Sequence, residues 1–483
     1  MNLFFSELLL IIPELIIILA AILLLMIGSF STKNSAKVVV YFSALTLFFV
    51  SFLEIIMPWD TGLLFTESLV ENGFSRFVKS IIFLSSAFVI ILSSKWLVRY
   101  DSKAFEYPIL ILFSSLGMSF MISANDLITL YLAIELQSLP LYVLASFKRD
   151  SVNSGEAGIK YFVLGALSSS LFLFGSSLVY GFTGSVEFFD ISKSIGAPEI
   201  NTGIVVGIVF ILSGLIFKIS AVPFHMWTPD VYEGSATPVT AFFSTAPKMA
   251  AMCMLVNILY GPFSGAFESW QQIIIFVSIA SMALGSFVAI KQTNIRRLLA
   301  YSSIAHMGFA LIALSSPLSS SAVQSLLIYM LIYVVTNLGV FACIISLETS
   351  EGETISKIDD LSGLSRRYPF IAFSMTMLMF SFAGIPPLAG FFGKYLIFRT
   401  AIENGLISLA LFGLIISVVA AYYYIRIIKI MYFDELDILL TKSSSKGLNI
   451  TNIVCTFFIV FFLLIYSFFP IAEMANLAAK SIN

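Results

Sequence analysis

Charged residues are scarce in this sequence: Asp, Glu, Lys and Arg together make up only 11% of the 483 residues. Soluble globular proteins contain about 25% charged residues, so the composition excludes that class, and the 59% hydrophobic content indicates a membrane protein. The 26 basic and 28 acidic residues are scattered, with no basic run that could follow a phosphate backbone. We therefore expect a lipid bilayer, and no nucleic acid, around this chain.

Ligands for cofactors are equally few. The three cysteines stand far apart in apolar runs without C-x-x-C spacing, which does not support a disulfide framework, an iron–sulfur cluster or a zinc site. Only two histidines are present, and no two glycines are separated by a single residue, which excludes the G-x-G-x-x-G dinucleotide fingerprint. We predict that this chain itself binds no metal and no redox cofactor.

Long apolar runs fill the rest of the chain. A hydrocarbon core of about 30 Å requires about 20 apolar residues per helix, and at that length the sequence divides into about fourteen segments. This predicts an all-α polytopic membrane protein without a soluble domain. Glu7 stands where a cleaved signal would be basic, so segment 1 is expected to be retained. The segment centres lie near Ile18, Leu47, Ala87, Leu116, Glu135, Leu171, Leu212, Cys253, Ala280, Ala305, Tyr333, Phe382, Ile415 and Phe461.

The basic residues predict the orientation. If the N-terminus lies outside, most of the 26 Lys and Arg fall in inner loops, as the positive-inside rule requires. Those expected on the outer side are Arg76, Lys79, Lys193, Arg399 and Lys480. Both termini are then outside, in a bacterial inner membrane or its organellar equivalent. The remaining three, Lys218, Lys248 and Lys394, lie inside segments.

One acidic residue occupies the centre of an apolar segment. Glu135, in LAIELQSLPLY of segment 5, has apolar turns on both sides. A charge at mid-bilayer costs about 2.5–3.5 kcal/mol on insertion scales, so such residues usually face the bundle interior and mark an ion path. The alternative is a carboxylate that only pins helices together or reaches the interface.

Two lysines stand beside predicted helix breaks. Lys218 precedes Pro223 in segment 7, and Lys394 follows Pro386 and Pro387 in segment 12. Proline removes a backbone donor and clashes with the preceding turn, and interrupted membrane helices expose backbone dipoles to ion sites at mid-depth. The alternative is a plain proline kink with the lysine reaching for the interface.

The two breaks are five segments apart, and an odd offset reverses the direction through the membrane. This predicts two inverted five-helix repeats, segments 4–8 and 9–13, in which Glu135 corresponds to His306. The predicted organisation is 1–105 for segments 1–3, 106–262 for the first repeat, 263–435 for the second repeat and 436–483 for segment 14.

Lys248 and the two histidines complete the candidate set. Lys248 follows Pro247 in segment 8, where Thr and Ser hydroxyls could hold water or bond to their own backbone. His306 suits a proton carrier because the ordinary pKa of histidine is near 6.5, and a hydrogen-bonded core histidine fits equally well. His225, at the inner end of segment 7, could act as a gate, but the sequence assigns it no firm role.

These residue types suit proton transfer. Burial disfavours the charged form of a lysine, and a nearby carboxylate favours it again. At an effective dielectric near 20, unit charges roughly 4 Å apart interact by about 4 kcal/mol, enough to load or unload Lys218 if Glu135 is its neighbour. Because no nucleotide motif or redox ligand accompanies these residues, the chain is expected to conduct protons and to take its driving force from elsewhere.

The segment PFHMWTPDVYEGSATPVTAFFSTAPK, from Pro223 to Lys248, resembles the most specific segment of a known family. That family is the antiporter-like membrane subunits of proton-pumping NADH:quinone oxidoreductase, respiratory complex I, and the similarity spans essentially the whole chain. Within the family, IELQSLPLYVLASF, from Ile134 to Phe147, is similar to the N-type subunits.

The resemblance implies roles for the candidate residues. Glu135 and Lys218 would form the modulating pair of the input half-channel, Lys248 the central relay, His306 a carrier, and Lys394 the output group. It also implies partner subunits of the M, K, J, A and L types, with NADH, flavin and iron–sulfur clusters in other subunits and quinone bound elsewhere in the complex.

Two other functions fit parts of the pattern. A subunit of a multisubunit cation/proton antiporter shares the Glu, Lys, Lys arrangement, although the IELQSLP segment and the length favour the complex I family. A purely structural membrane subunit would conduct nothing, and neutralising its buried charges would leave turnover and pumping intact. Buried unpaired charges are costly in such a scaffold.

Overall fold

The computed structural model describes residues 7–30, 35–59, 61–100, 104–196, 200–349, 354–435, 440–442 and 445–482. Most of these residues are helical, and twelve helices are long and apolar enough to cross a membrane, or thirteen if one bent pair is counted as a single span. The predicted all-α polytopic fold is confirmed. The count of fourteen, the inverted repeat and the four-part division stay predictions.

A small hairpin connects the second and third of the first three long helices. These helices are α1, Ile12–Phe30, α2, Ser35–Ile56, and α3, Gly73–Tyr100. Between α2 and α3, strands β1, Gly62–Leu64, and β2, Leu69–Glu71, pair antiparallel with Gly62 opposite Glu71. The hairpin brings the end of α2 back to the start of α3, on the side where α1 begins.

The next part of the chain contains α4, Glu106–Ser123, α5, Leu127–Ala145, α6, Val152–Thr183, α7, Phe188–Ile195, α8, Thr202–Ile219, α9, Trp227–Gly234, α10, Thr237–Phe243, and α11, Ala246–Tyr260. Side-chain caps start several of these helices: Asp126 accepts from the backbone of Ile128 and Thr129 at α5, and Ser151 from that of Ser154 at α6. Such caps satisfy amides that have no intrahelical partner.

The last part contains α12, Phe267–Ala289, α13, Ile295–Leu314, α14, Ser320–Ile345, α15, Leu364–Arg367, α16, Pro369–Ala383, α17, Ala389–Glu403, α18, Ile407–Phe433, α19, Lys446–Val460, α20, Phe462–Phe468, and α21, Ile471–Lys480. Short 3-10 turns cover Ser264–Ala266 and Asp359–Leu361, and strands β3, Leu347–Glu348, and β4, Thr441–Lys442, pair antiparallel.

Two helical spans are interrupted at the predicted prolines. One stops at Ile219 and resumes at Trp227, and the other stops at Ala383 and resumes at Ala389. Each first half ends on a residue with left-handed backbone, Ser220 with φ 60° and Gly384 with φ 85°, a common way to end a helix. In both places the last-turn carbonyls are therefore left for partners other than the helix itself.

The buried centre of the molecule is formed by α10, α11, α13 and α14, whereas α1, α6 and α18 keep most of their apolar surface exposed. A bilayer can cover apolar helices as well as protein can, so the exposed faces of α1, α6 and α18 need no protein around them. This arrangement surrounds the candidate charges with protein.

Candidate functional site

Lys218 lies in the last turn of α8 and reaches across to α5. Its Nζ donates to Ser138 Oγ at 2.7 Å, and that hydroxyl donates to the Ile134 carbonyl at 2.6 Å. The side chain of Lys218 is 9% exposed. A serine one turn after Glu135 is therefore the direct partner of this lysine, and the sequence analysis did not single it out.

Glu135 is half-buried on the same helix, and its Oε1 accepts a hydrogen bond from Ser169 of α6. No nitrogen–oxygen distance between Glu135 and Lys218 falls within 4.0 Å, so the two do not form an ion pair. They nevertheless interact electrostatically. The structure thus brings the predicted pair into one neighbourhood, with serine hydroxyls as the immediate partners of each charge.

Lys248 lies in the first turn of α11 and is buried against the end of α8. Its Nζ donates to the Ile219 carbonyl at 3.0 Å and to Ser220 Oγ. It also lies 5.2 Å from the centre of the Trp227 ring. The ammonium therefore sits at the carboxyl end of the first half of a broken helix, where unpaired carbonyls and the helix dipole favour a cation.

The hydroxyls that precede Lys248 mostly bond to backbone. Ser244 and Thr245 donate to the Ala241 carbonyl at 3.0 and 2.9 Å, and Thr240 donates to the Tyr232 carbonyl at 3.0 Å. The structure therefore favours the backbone-bonding alternative for these side chains over a water-holding stripe.

Lys394, on α17, caps the first half of the other broken helix. Its Nζ donates to the carbonyls of Phe382 and Ala383 at 3.0 and 3.2 Å. A third bond, of 2.8 Å, goes to Ser417 Oγ on α18. Lys394 thus contacts the end of α16 in the way that Lys248 contacts the end of α8.

His306 is buried on α13 between two tyrosine hydroxyls. Its Nδ1 lies 2.6 Å from Tyr329 OH and its Nε2 lies 3.1 Å from Tyr424 OH. The Tyr424 hydroxyl is also 2.5 Å from Ser302 Oγ, and the imidazole packs 4.8 Å from the Phe382 ring. Both ring nitrogens therefore have partners that can donate or accept a proton.

His306 and Lys394 line the same small cavity, together with Tyr329, Tyr333 and Phe382. Its volume is about 10 Å³, which is enough for about one water molecule. Ser303 Oγ, one helical turn before His306 on α13, is 2.7 Å from Tyr333 OH. The described residues provide no continuous hydrogen-bonded chain between Lys248 and His306.

His225 lies in the connection between α8 and α9 and is half-buried, and its carbonyl accepts from the Thr228 amide at 3.0 Å. This position next to the break does not give its imidazole a role.

An ion-pair network that the sequence analysis missed anchors α9. Asp230 pairs with Lys160 of α6 at 2.7 Å and with Arg297 of α13 at 2.8 Å, and Arg297 also pairs with Glu233 at 2.9 Å. Burial raises the pKa of the Asp230 carboxyl, but the hydrogen bonds from Lys160 and Arg297 outweigh it, so this pKa lies below its ordinary value. The acidic spacing in WTPDVYEG and the adjacent Arg296 and Arg297 were the available signal.

Two basic residues expected on the outer side are enclosed by protein. Arg76 and Lys79 lie within α3 and are buried, at 0% and 1% exposure, and the side of the membrane on which they lie stays a prediction. Their partners are glutamates of α1, α2 and β2. In the sequence these glutamates look like ordinary helix-end residues, so the pairing could not be predicted.

Among the described residues, no group of three or more His, Cys, Asp and Glu side chains is arranged to hold a metal ion. Glu135, the three lysines and His306 each have hydroxyl or carbonyl partners within hydrogen-bonding distance.

Comparisons with known proteins identify similar chains. Residues 124–420 match the model of a family described as NADH:quinone oxidoreductase/Mrp antiporter, TM. NADH-quinone oxidoreductase subunit N of Parvibaculum lavamentivorans is 56% identical over 366 residues, 76% of this chain and 75% of that protein. The protein of that name from Bartonella bacilliformis is 46% identical over 485 residues, 99% of this chain and 98% of its own length.

A solved structure agrees with these relatives. A chain of respiratory complex I from Thermus thermophilus superposes with a TM-score of 0.82 at 29% identity, covering 96% of this chain and 100% of that one.

Proposed function

Because this chain belongs to the subunit N family of NADH:quinone oxidoreductase, we propose that it carries protons across the membrane through Glu135, Lys218, Lys248, His306 and Lys394. The driving force comes from electron transfer between NADH and quinone in other subunits. Protons move from the cytoplasm, or the matrix of an organelle, to the outside. The interrupted helices at Pro223, Pro386 and Pro387 supply the carbonyl ends that hold the relay lysines.

The observation that carries this proposal is the pair of lysine sites at the broken helices. Lys248 has two acceptors at the end of α8, and Lys394 has three around the end of α16. An ammonium uses three donors and a neutral amine still has two, so either protonation state can satisfy these carbonyls. A site that tolerates both states suits a proton relay better than a fixed ion pair.

The input end has a counter-charge that can move. Glu135 and Lys218 interact without direct contact, and each bonds to a serine, Ser169 and Ser138 respectively. If the two charges approach to roughly 4 Å, the charged lysine gains about 4 kcal/mol at an effective dielectric near 20. Approach therefore loads Lys218 with a proton, and withdrawal releases that proton towards Lys248.

Membership of the family supports the following proposal for the surroundings of the chain. It lies in a bacterial inner membrane or organellar equivalent, with both termini outside, next to subunits of the M, K, J, A and L types. NADH, flavin and iron–sulfur clusters belong to partner subunits, and quinone binds elsewhere in the complex. The four parts 1–105, 106–262, 263–435 and 436–483 correspond to an N-terminal unit, two inverted repeats and a C-terminal helix.

The relatives argue against the antiporter function, and an experiment separates the structural function from the relay. The matching family model includes Mrp antiporter subunits, but the relatives that are 56% and 46% identical are both named subunit N of NADH-quinone oxidoreductase. A structural subunit without conduction would keep full activity after its buried charges were neutralised, and this can be measured.

The test uses the assembled complex in liposomes with the substitutions Lys218→Ala and Glu135→Ala. NADH:quinone turnover and proton pumping are measured, and assembly is checked on the same samples. Removing a proton-transfer group is expected to lower pumping at least about tenfold. Lys193→Ala and Glu187→Ala, at exposed residues, serve as matched controls. Full turnover and pumping in both buried variants would instead support the structural subunit.

A further inference from the structure

A second set of buried charges lies among α1, α2, α3 and β2, away from the relay. Arg76 Nη1 pairs with Glu54 at 2.8 Å. Lys79 Nζ pairs with Glu14 at 2.6 Å and also with Glu71. We call these five residues the N-terminal cluster. Each of the five is at most 1% exposed, so water does not screen their charges.

The three glutamates of the N-terminal cluster are not equally satisfied. Glu71 accepts from Lys79, from Ser123 at 2.7 Å and from Ser75 at 2.9 Å, so both its oxygens have donors. Glu14 Oε1 accepts from Lys79 and Ser119, but Glu14 Oε2 and Glu54 Oε1 are buried and accept no hydrogen bond from any described residue. Two carboxyl oxygens are therefore available to carry a proton.

The balance of charges also indicates that one of the three glutamates holds a proton. Three carboxylates face two cations, Arg76 and Lys79, which leaves one negative charge without a partner. An unpaired buried charge is expensive, and a carboxyl group in that position takes up a proton instead. With one proton on Glu14 or Glu54, the whole cluster is neutral.

Among the described residues, the buried groups Asp126 and Lys248 on neighbouring elements bond elsewhere, Lys248 to the end of α8. From α4, Ser119 and Ser123 face it with hydroxyls. Asp126 bonds to the start of α5, and on α21, which packs against α3, Glu473 and Lys480 are exposed.

A cavity with several polar side chains in its lining adjoins the N-terminal cluster. Its volume is about 400 Å³, and Asn72, Ser123, Asn125, Ser192 and Asn257 contribute to its lining. Ser123 also donates to Glu71, so one hydroxyl joins the cavity to the cluster. Asn257 is on α11, nine residues after Lys248, about 14 Å at 1.5 Å per residue. The cavity thus adjoins the helix that carries the central relay lysine.

We propose that the N-terminal cluster is a proton-binding site that holds one exchangeable proton and exchanges it with the outer solution through this cavity. Glu14 turns its O–H towards Lys79 and gives Lys79 this proton as Lys79 passes one of its own protons to Glu71. Glu71 then releases that proton to water beside Ser123, so the net change is the loss of one proton from Glu14. The site does not depend on the relay proposed above.

The test is infrared difference spectroscopy of the purified complex between acidic and alkaline pH. The parent should show a carboxylic-acid band that shifts in D2O. Glu14→Gln and Glu54→Gln should each remove this band, because either change leaves two acids facing two cations. Glu473→Gln, at an exposed residue, is the control and should keep it. A band that persists in both buried variants overturns the proposal.

Assembly supplies a second, independent readout. Glu14→Gln and Glu54→Gln should assemble like the parent, since each removes the excess charge. Glu71→Ala should lower the yield of assembled complex, since it removes the acceptor of three hydrogen bonds. Equal losses in all three variants would mean three ionised, structural glutamates and would also overturn the proposal. Neither readout uses pumping, so failure of the relay and failure of this site are distinguishable.

Proton exchange through the cavity is tested with two matched serine substitutions. Ser123→Ala should keep the carboxylic-acid band but slow its shift after transfer to D2O, because Ser123 joins Glu71 to the cavity. Ser192→Ala, which changes the cavity lining without touching the cluster, should leave the rate unchanged. Equal rates in Ser123→Ala and the parent would contradict exchange through this cavity.

Discussion

The two broken helices present their carbonyl ends in the same way but are held by different chemistry. At the first, Ser220 occupies the left-handed position and its hydroxyl accepts from Lys248. At the second, Gly384 occupies that position, and Lys394 bonds directly to two carbonyls. The first break also has Lys218 within reach of the charge of Glu135.

The second break lacks such counter-charges. Among the described residues, no carboxylate pairs with Lys394, and His306 bonds to the tyrosine hydroxyls of Tyr329 and Tyr424. The α9 half of the first break is also fixed by ion pairs of Asp230. For the proposed relay, we therefore expect the first half to control protonation by moving charges and the second half to pass protons among groups without a counter-charge.

The largest expected effect tests whether Lys394 must release a proton. Lys394→Arg keeps a cation at the end of α16, but a guanidinium is not deprotonated in proteins. Proton pumping by the assembled complex in liposomes should fall at least about tenfold, as it should in Lys394→Met. Lys193→Arg, at an exposed residue, is the control.

Parent-level pumping in Lys394→Arg would contradict a proton-carrying role for the second broken helix. It would mean that Lys394 is a fixed cation for the helix end, and that the second half does not carry protons through this residue.

An intermediate effect is expected at the left-handed glycine of the second break. Gly384→Ala strains the backbone by about 1–2 kcal/mol, and its new methyl group would lie 3.1 Å from Lys394 Cδ. Thermal stability of the complex and pumping should both fall. Gly405, with φ 78° and open space around its Cβ position, provides the control Gly405→Ala. Equal pumping in the two variants would mean that Lys394 tolerates displacement.

The smallest effect concerns the ion pairs at the first break. Asp230→Asn should lower the thermal stability of the complex by only about 0.5 kcal/mol, because these pairs are partly exposed. The pKa of Asp230 is lowered in the folded protein, so its contribution is present above its ordinary pKa and is lost as the pH falls through the lower folded value. The difference between parent and variant should be constant from neutral pH to mildly acidic pH and vanish in stronger acid.

Any change of that difference near neutral pH would point to another titrating group. Glu187→Gln, at an exposed residue outside the network, should have the same thermal stability as the parent both at neutral pH and in stronger acid.

Sequence reasoning predicted the helical membrane fold and the helix breaks, and the family resemblance implied the pairing of Glu135 with Lys218, whereas the closeness of His306 to Lys394 was not predicted. It succeeded because an isolated charge in an apolar segment and a proline in a helix are local features. It missed Ser138, Tyr329 and Tyr424, since hydroxyl residues are common in membrane helices and only packing shows which of them meets a charge. The roles of these residues in proton transfer stay predictions.

The N-terminal cluster could not be predicted from the sequence either. Lys79 and Glu71 lie near the ends of apolar runs, where charges normally reach water. Only the packing of α1, α2 and α3 encloses them.

The sequence by itself determined that this chain crosses a bilayer many times, where its helices break and which charges stand inside apolar segments, because hydrophobic length, proline and isolated charge act within a few residues. The tertiary structure alone decided which carbonyl end each lysine meets, that Glu135 and Lys218 approach without contact, and that five further charges are buried together. Those outcomes depend on distances between helices that are far apart in the chain, and no local pattern encodes them.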